Sequence, residues 1–244
     1  MASYYLDNGD LSRAIERYNM ALRTYEKIND SMGMANVHAN LGMTYIDEEE
    51  FDKAEYHLLM QGKLDTLLNT QYGLGFHNDF MGHLKHSEKK YDEALVWYNK
   101  AIDIRSQLSS HYNRCESNIS MGDVLLDMGR YKEAIPYASE IFKYQDVHNS
   151  LSQEQSAHRI LSSCYENLGN LSLLLEHYKS YKSVSDSIYN KDKVSALADS
   201  EAKFKKSELD REISILNKEK ELNELKLSEQ KLIIGSGVIG FLLL

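Results

Sequence analysis

LGMTYIDEEEFDKAEYHL, residues 41–58, decides the fold, because the same pattern returns forty positions later as MGHLKHSEKKYDEALVWY, residues 81–98, and again as MGDVLLDMGRYKEAIPYA, residues 121–138. Gly42, Gly82 and Gly122 keep one phase, and Ala14, Ala54, Ala94 and Ala134 keep another. Large residues hold further phases: Tyr5, Tyr45 and Tyr165; Leu11, Phe51, Tyr91, Tyr131 and Leu171; Tyr18, Leu58, Tyr98 and Tyr178. Self-similarity at such a period means one supersecondary unit stacked upon itself. Gly or Ala lets two helix backbones approach, and the rings fill the grooves beside them. Each unit therefore reads as a helical hairpin, and the fold class as an all-α solenoid.

These residues resemble the tetratricopeptide (TPR) repeat: a Leu-Gly pair at Leu41-Gly42, a tyrosine three residues on at Tyr45, then Ala54 with Leu58. Gly82, Tyr91, Ala94, Tyr98 and Ala101 repeat the match. A generic repeat is about 34 residues, so the forty-residue step is similar to the longer subclass of kinesin light chains and bacterial Rap-type regulators. His38, Asn78, Asn118 and His158 replace the usual tryptophan, and the closing proline is missing. The fifth unit keeps Tyr165 and Tyr178 but has Ser162 for Gly and Leu174 for Ala, as a terminal cap would. On this reading residues 1–183 form about five repeats. The first is expected to be truncated, since Ala2 already stands in the phase of Gly42.

The 244 residues, 42% hydrophobic and 27% charged, are enough for a sizeable core and too apolar for a disordered chain. A single proline and no alternating β-branched runs leave no sheet to expect. Net charge is −9, while residues 191–231 balance ten Lys/Arg with ten Asp/Glu, so the acidic excess lies in the repeats. Such an array is a poor binder of nucleic acid. Reduced by one repeat, Cys164 falls nine residues from Cys115, roughly 13 Å along a helix. A disulfide is not expected across that separation.

From about Ser187 the chain becomes KVSALADSEAKFKKSELDREISILNKEKELNELKLSEQK, charged and Leu-spaced, with Asp199–Lys203 and Glu201–Lys205 in the favourable i,i+4 order. Residues 184–231 are read as a long helical stalk, of roughly 60 Å over its last 41 residues. Leu209, Ile213 and Leu216 keep a 4-3 coiled-coil spacing, and the seam then slips to Leu222, Leu225 and Leu232. That pattern allows a weak homodimer through the stalk, or a solvated single helix. Residues 232–244, LIIGSGVIGFLLL, carry no charge. They cover about 20 Å of a hydrocarbon core of roughly 30 Å, so they are read as the beginning of a transmembrane helix, or else as a short sticky tail. The G-x-G-x-x-G they contain follows a helix rather than a strand and does not count as a dinucleotide site.

No nucleotide loop, zinc-protease motif or CxxC pair is present, so no enzyme activity, cofactor or metal is expected of this chain. His83 and His86 share a helical face without a phased third ligand. The acidic run Asp47–Glu50, and Asn8-Gly9-Asp10, Gly129-Arg130 and Gly169-Asn170, are read as turns between helices. By the family resemblance, the binding groove falls on Ala39, Met43 and Ile46; Phe76, Asp79, His83 and His86; Glu116, Ile119, Asp123 and Leu126; and Arg159, Ser163 and Glu166. The Lys and Asn set that clamps a chaperone's carboxylate is missing. The mixed apolar and acidic lining suits a protein or peptide partner with basic and hydrophobic character.

Repeats, charged helix and apolar run, in that order, resemble the sensor half of bacterial membrane-anchored TPR signalling proteins, whose output is a histidine kinase or a LuxR-type regulator. That resemblance implies an inner-membrane protein with its repeats in the periplasm, signalling through the stalk. The alternative is a soluble cytoplasmic TPR adaptor whose apolar tail docks on a partner.

Overall fold

The computed structural model describes residues 10–144 and 150–242. Every regular element among them is helical: α1 (Leu11–Ile28), α2 (Ser31–Asp47), α3 (Phe51–Leu67), α4 (Gln71–Ser87), α5 (Tyr91–Gln107), α6 (His111–Asp127), α7 (Tyr131–Ser139) with a 3-10 turn (Glu140–Lys143), α8 (Leu151–Asn167) and α9 (Leu171–Leu242). The chain divides into two compact units, Met1–Ser187 and Ile188–Leu244. Residues 1–9, which hold Ala2, Tyr5 and the Asn8-Gly9 turn, lie outside the described residues.

In the first unit the helices from α2 to α6 are each 17 residues long and separated by three-residue turns. The turns share one geometry. Asn29, Glu49, Asn69, Lys89, Ser109 and Gly129 have positive φ at steps of twenty, and Gly169 has it two such steps further on. At each, the amide of the following residue bonds the carbonyl five back, as Glu50 N to Tyr45 O at 2.9 Å and Lys90 N to Lys85 O at 2.8 Å. This is the Schellman ending, which satisfies carbonyls that a helix leaves unpaired. The structural step is therefore a twenty-residue helix-and-turn, of which the forty-residue sequence repeat is the double. Sequence reading finds the turns at Gly129 and Gly169 and, through the acidic run Asp47–Glu50, the one at Glu49, but not those at Asn29, Asn69, Lys89 or Ser109, where no glycine announces a left-handed residue.

The phased alanines are the contact points between helices: Ala14, Ala54, Ala94 and Ala134 are all 0% exposed. Leu58 packs where a Cβ on Gly42 would stand, and Tyr98 packs the same way on Gly82, with its Cε1 2.7 Å from that position. The largest buried cluster runs from Ala94 and Tyr98 on α5 through Met121, Val124 and Leu125 on α6 to Ile160 and Leu161 on α8. Ile119 is buried in this cluster and Ile46 in a second one with Ala54, Leu58, Met81 and Leu84, while Leu126 is partly buried against the first. The expected groove positions of Ile46 and Ile119 are thereby corrected, since both are buried against neighbouring helices, whereas Leu126 keeps partial exposure. Pro136 sits inside α7, which lasts nine residues before tightening into the 3-10 turn. A proline removes one amide donor and crowds the preceding turn.

The second unit is the continuation of α9, one unbroken helix of 72 residues from Leu171. Tyr189, Val194, Leu197, Phe204, Leu209, Ile213 and Leu216 are exposed along it. The slipped seam at Leu222, Leu225 and Leu232 involves side chains beyond those described. Helical backbone reaches Leu242, and residues 243–244 lie outside the described residues. Among the described residues no helix is long and apolar enough to cross a membrane.

Candidate functional site

The first helix of each hairpin supplies the expected groove residues, and the structure gathers only some of them. Met43 from α2 and Phe76, Asp79 and His83 from α4 line one cleft of about 410 Å³. Its other walls come from Phe80 on α4, from Tyr98 and Arg105 on α5, and from Tyr112, Asn113, Glu116 and Ser120 on α6. Arg159 and Glu166 line a second opening of about 450 Å³ with Leu174, Leu175, Tyr178 and Tyr181 of α9. His86 stands apart: its Nε2 lies 2.8 Å from Asp127 Oδ2 and its ring edges onto Tyr91. With His86 committed to that pair, a His83–His86 metal site has no support, and no group of three metal-ligating side chains occurs among the described residues.

The cleft's charge is already compensated from within. Arg105, 3% exposed, forms an ion pair with Asp79 and also donates to Asn113 O and Ser117 Oγ. The Ser117 hydroxyl in turn donates to Asp79 Oδ1 at 2.7 Å. Burial pushes the Asp79 carboxyl up to about 7, against the downward pull of Arg105 and Ser117. The Arg105 guanidinium lies over the Phe76 ring, 4.9 Å from its centroid. Glu116, the other acid of the lining, accepts from Gln153 Nε2 at 2.8 Å. Asp123 is paired likewise, with Arg159 Nη2 2.6 Å from its Oδ1, and burial raises its carboxyl despite that partner. The acids that would draw a basic peptide thus already have partners in their own chain.

What remains open in the cleft is aromatic and apolar. Phe76 and Phe80 are 5.9 Å apart, Tyr72 edges onto Phe76, and Tyr112 is 45% exposed. His83 keeps a buried Nδ1 with no hydrogen-bond partner in the protein. Burial holds its ring below the ordinary histidine range. Arg105, Tyr112 and Ser117 were not expected here. Arg105 shares its repeat phase with Tyr25 and Asp65, so one position changes chemistry from unit to unit, and that variation was the available signal.

Two models of the tetratricopeptide repeat family match the chain, over residues 76–146 and 119–183. Tetratricopeptide repeat protein 29 of Trypanosoma brucei brucei is 23% identical over 176 residues, 69% of this chain and 36% of that protein, so the chain spans little more than a third of that relative. Among solved structures, BtubC (BKLC) from P. vanneervenii superposes with a TM-score of 0.66 at 14% identity, over 77% of this chain and 78% of that one. A putative kinesin light chain of Podosopora anserina with nearly identical TPR-like repeats gives 0.60 at 14% identity, over 77% and 92%. PilW, a type IV pilus biogenesis factor, gives 0.56 at 15%, over 76% and 74%. The array is a TPR solenoid of repeated helical hairpins.

Proposed function

We propose that this chain is a protein-interaction scaffold, an adaptor that holds a partner segment in the cleft between α4, α5 and α6. The observation that carries this reading is an open aromatic lining around Phe76 and Tyr112 above a carboxylate that Arg105 already neutralises. Binding then rests on an inserted apolar or aromatic side chain. Rings in such a position are where interfaces concentrate their energy. No catalytic group is needed for this role.

The test selects binding peptides from a random display library and measures them against wild type, Phe76→Ala and Tyr112→Ala. Loss of a central aromatic contact costs about 2 kcal/mol, roughly thirtyfold in Kd. Because the acids are internally paired, that affinity should change little between 50 and 300 mM salt. Binders indifferent to both substitutions would place the interaction on another face.

A second reading, the membrane-anchored sensor, is supported by the continuity of α9 from the repeats to Leu242, where the sequence turns apolar. In it the exposed stripe at Leu209, Ile213 and Leu216 pairs with a second copy, the array lies outside the inner membrane, and a kinase or DNA-binding output follows. Fractionation of the native protein separates the readings: recovery with membranes after a carbonate wash favours the sensor, and recovery in the supernatant favours the adaptor.

A further inference from the structure

Two hairpins, and not those between them, are closed by facing histidines. His38 on α2 and His57 on α3 bring their Nδ1 atoms to 2.9 Å. His158 on α8 and His177 on α9 do the same at 3.0 Å. In both pairs the rings tilt by 39°, and a tyrosine stacks on the second histidine at 5.5 Å, Tyr45 on His57 and Tyr165 on His177. One arrangement thus occurs twice, three repeats apart. In the two intervening hairpins both positions change together: Asn78 with Trp97, and Asn118 with Tyr137. A histidine stands at either position only when its partner is also histidine.

Two Nδ1 atoms at this distance share one proton, so one ring donates and the other accepts. Each neutral ring carries one proton of its own, so adding two protons makes both rings cations about 3 Å apart in a partly buried contact, with no bare Nδ1 left to accept. We propose that these pairs are acid-sensitive latches, each holding its hairpin shut through a single shared proton and releasing it when both rings become cations.

The surroundings do not cancel the effect. The first latch is faced by Glu26 of α1, Tyr45 of α2, and Tyr56 and Lys53 of α3, the lysine lying over Tyr45. The last is faced by Glu154 and Tyr165 of α8, Glu176 of α9 and the Phe142 ring. Glu26 and Glu176 favour the charged rings, yet burial outweighs them and all four histidines are held below the ordinary value. His57 is brought down to about 4, by burial and by His38. A ring held neutral when closed takes its proton on opening, so closure weakens as pH falls from about 6.5 toward 4. For His57 this favours opening about twentyfold more at pH 5 than at pH 7. Since α2 carries Met43 and α8 carries Arg159 and Glu166, acid acts on helices at both ends of the groove face.

Hydrogen exchange of the full chain at pH 7 and pH 5, corrected for intrinsic rates, reads the latch directly. His77 and His83 on α4 are also held neutral by burial, so location alone does not discriminate and the decisive variant is a swap. His38→Asn with His57→Trp installs the pair that the second hairpin already accommodates. The amides of α2 and α3 should lose their twentyfold acid response, while α8 and the start of α9 keep theirs. An undiminished acid response in the swapped hairpin would overturn the proposal. Nitrogen-15 spectra of the wild-type rings at pH 7 give a second reading that needs no variant. One Nδ1–H and one bare Nδ1 per pair support the latch, and two bare Nδ1 atoms refute it.

Discussion

Gly82 and Gly122 occupy one phase of the repeat, and the structure predicts opposite outcomes for the same substitution at the two. A Cβ at Gly82 would lie 2.7, 2.8 and 2.9 Å from Cε1, Cδ1 and Cζ of Tyr98, inside any real carbon contact. Tyr98 is 1% exposed and wedged between α4 and the α6 side of the core, so its ring has nowhere to retreat. Overpacking of this kind costs about 1–3 kcal/mol. Replacing a mid-helix glycine by alanine returns up to about 1 kcal/mol of helix propensity, so Gly82→Ala should come out destabilised by about 1–2 kcal/mol. At Gly122 the nearest atoms are Ile160 Cδ1 at 3.4 Å and Cγ2 at 3.6 Å, ordinary contacts. There the propensity gain stands nearly alone, and Gly122→Ala should be stabilised by up to about 1 kcal/mol. Urea melts followed by helical circular dichroism measure both variants against wild type. A Gly82→Ala protein as stable as wild type, or a Gly122→Ala protein that falls equally far, would refute the assignment of Tyr98 as the wedge of this hairpin.

Lys89 adopts φ 60° at a turn where glycine would sit without strain. Lys89→Gly should add about 0.5–1 kcal/mol in the same melts, the left-handed penalty less glycine's extra chain entropy. Arg105→Met strands the buried Asp79 carboxylate and should cost about 3–5 kcal/mol, while Asp79→Leu combined with Arg105→Met should cost clearly less than the two single changes added together. Simple additivity in that double-mutant cycle would mean the ion pair carries no coupling. Cys115 and Cys164 are buried free thiols, and burial raises both, Cys164 to about 11. A disulfide-exchange reagent at pH 8 should label neither until urea unfolds the array, and prompt labelling of the native protein would contradict the packing around them.

How far the fold could be read depended on whether a residue's role repeats. Alanine at 14, 54, 94 and 134 does the same work in every unit, so periodicity alone exposes it. The twenty-residue half-step stayed hidden, because the two helices of a hairpin present different faces and share only their backbone ending. Groove residues were harder still. The family resemblance implied Met43, Phe76, Asp79 and His83 for the groove, and the structure brings these four into one cleft. Ile46 on α2 and Ile119 on α6 turn inward, because a solenoid helix contacts neighbours on two sides and its open face is narrow. Nothing in the sequence pointed to Arg105 as the partner of Asp79, since a charged residue on a second helix reads as solvated surface until the neighbouring α6 is seen to cover it.

Chemistry that departs from the repeat therefore carries more information about this particular chain than chemistry that obeys it. A stacked hairpin needs only small residues where backbones meet and large ones beside them, and any unit that meets those terms is stable in the stack. It does not need a guanidinium where other units place Tyr25 and Asp65, because that exchange adds the desolvation of a charge and then requires Asp79, Ser117 and the Asn113 carbonyl to offset it. Nor does it need paired histidines, since the next hairpin has Asn78 and Trp97 at the same two positions. Each departure occurs with its partners already in place. Arg105 stands at the centre of the cleft face and the histidine pairs in the hairpins toward its ends. The cost of a buried ion pair and of two shared-proton contacts falls on the helices that would have to hold a partner, and substitutions at these positions, more than at the periodic core, should separate binding from folding.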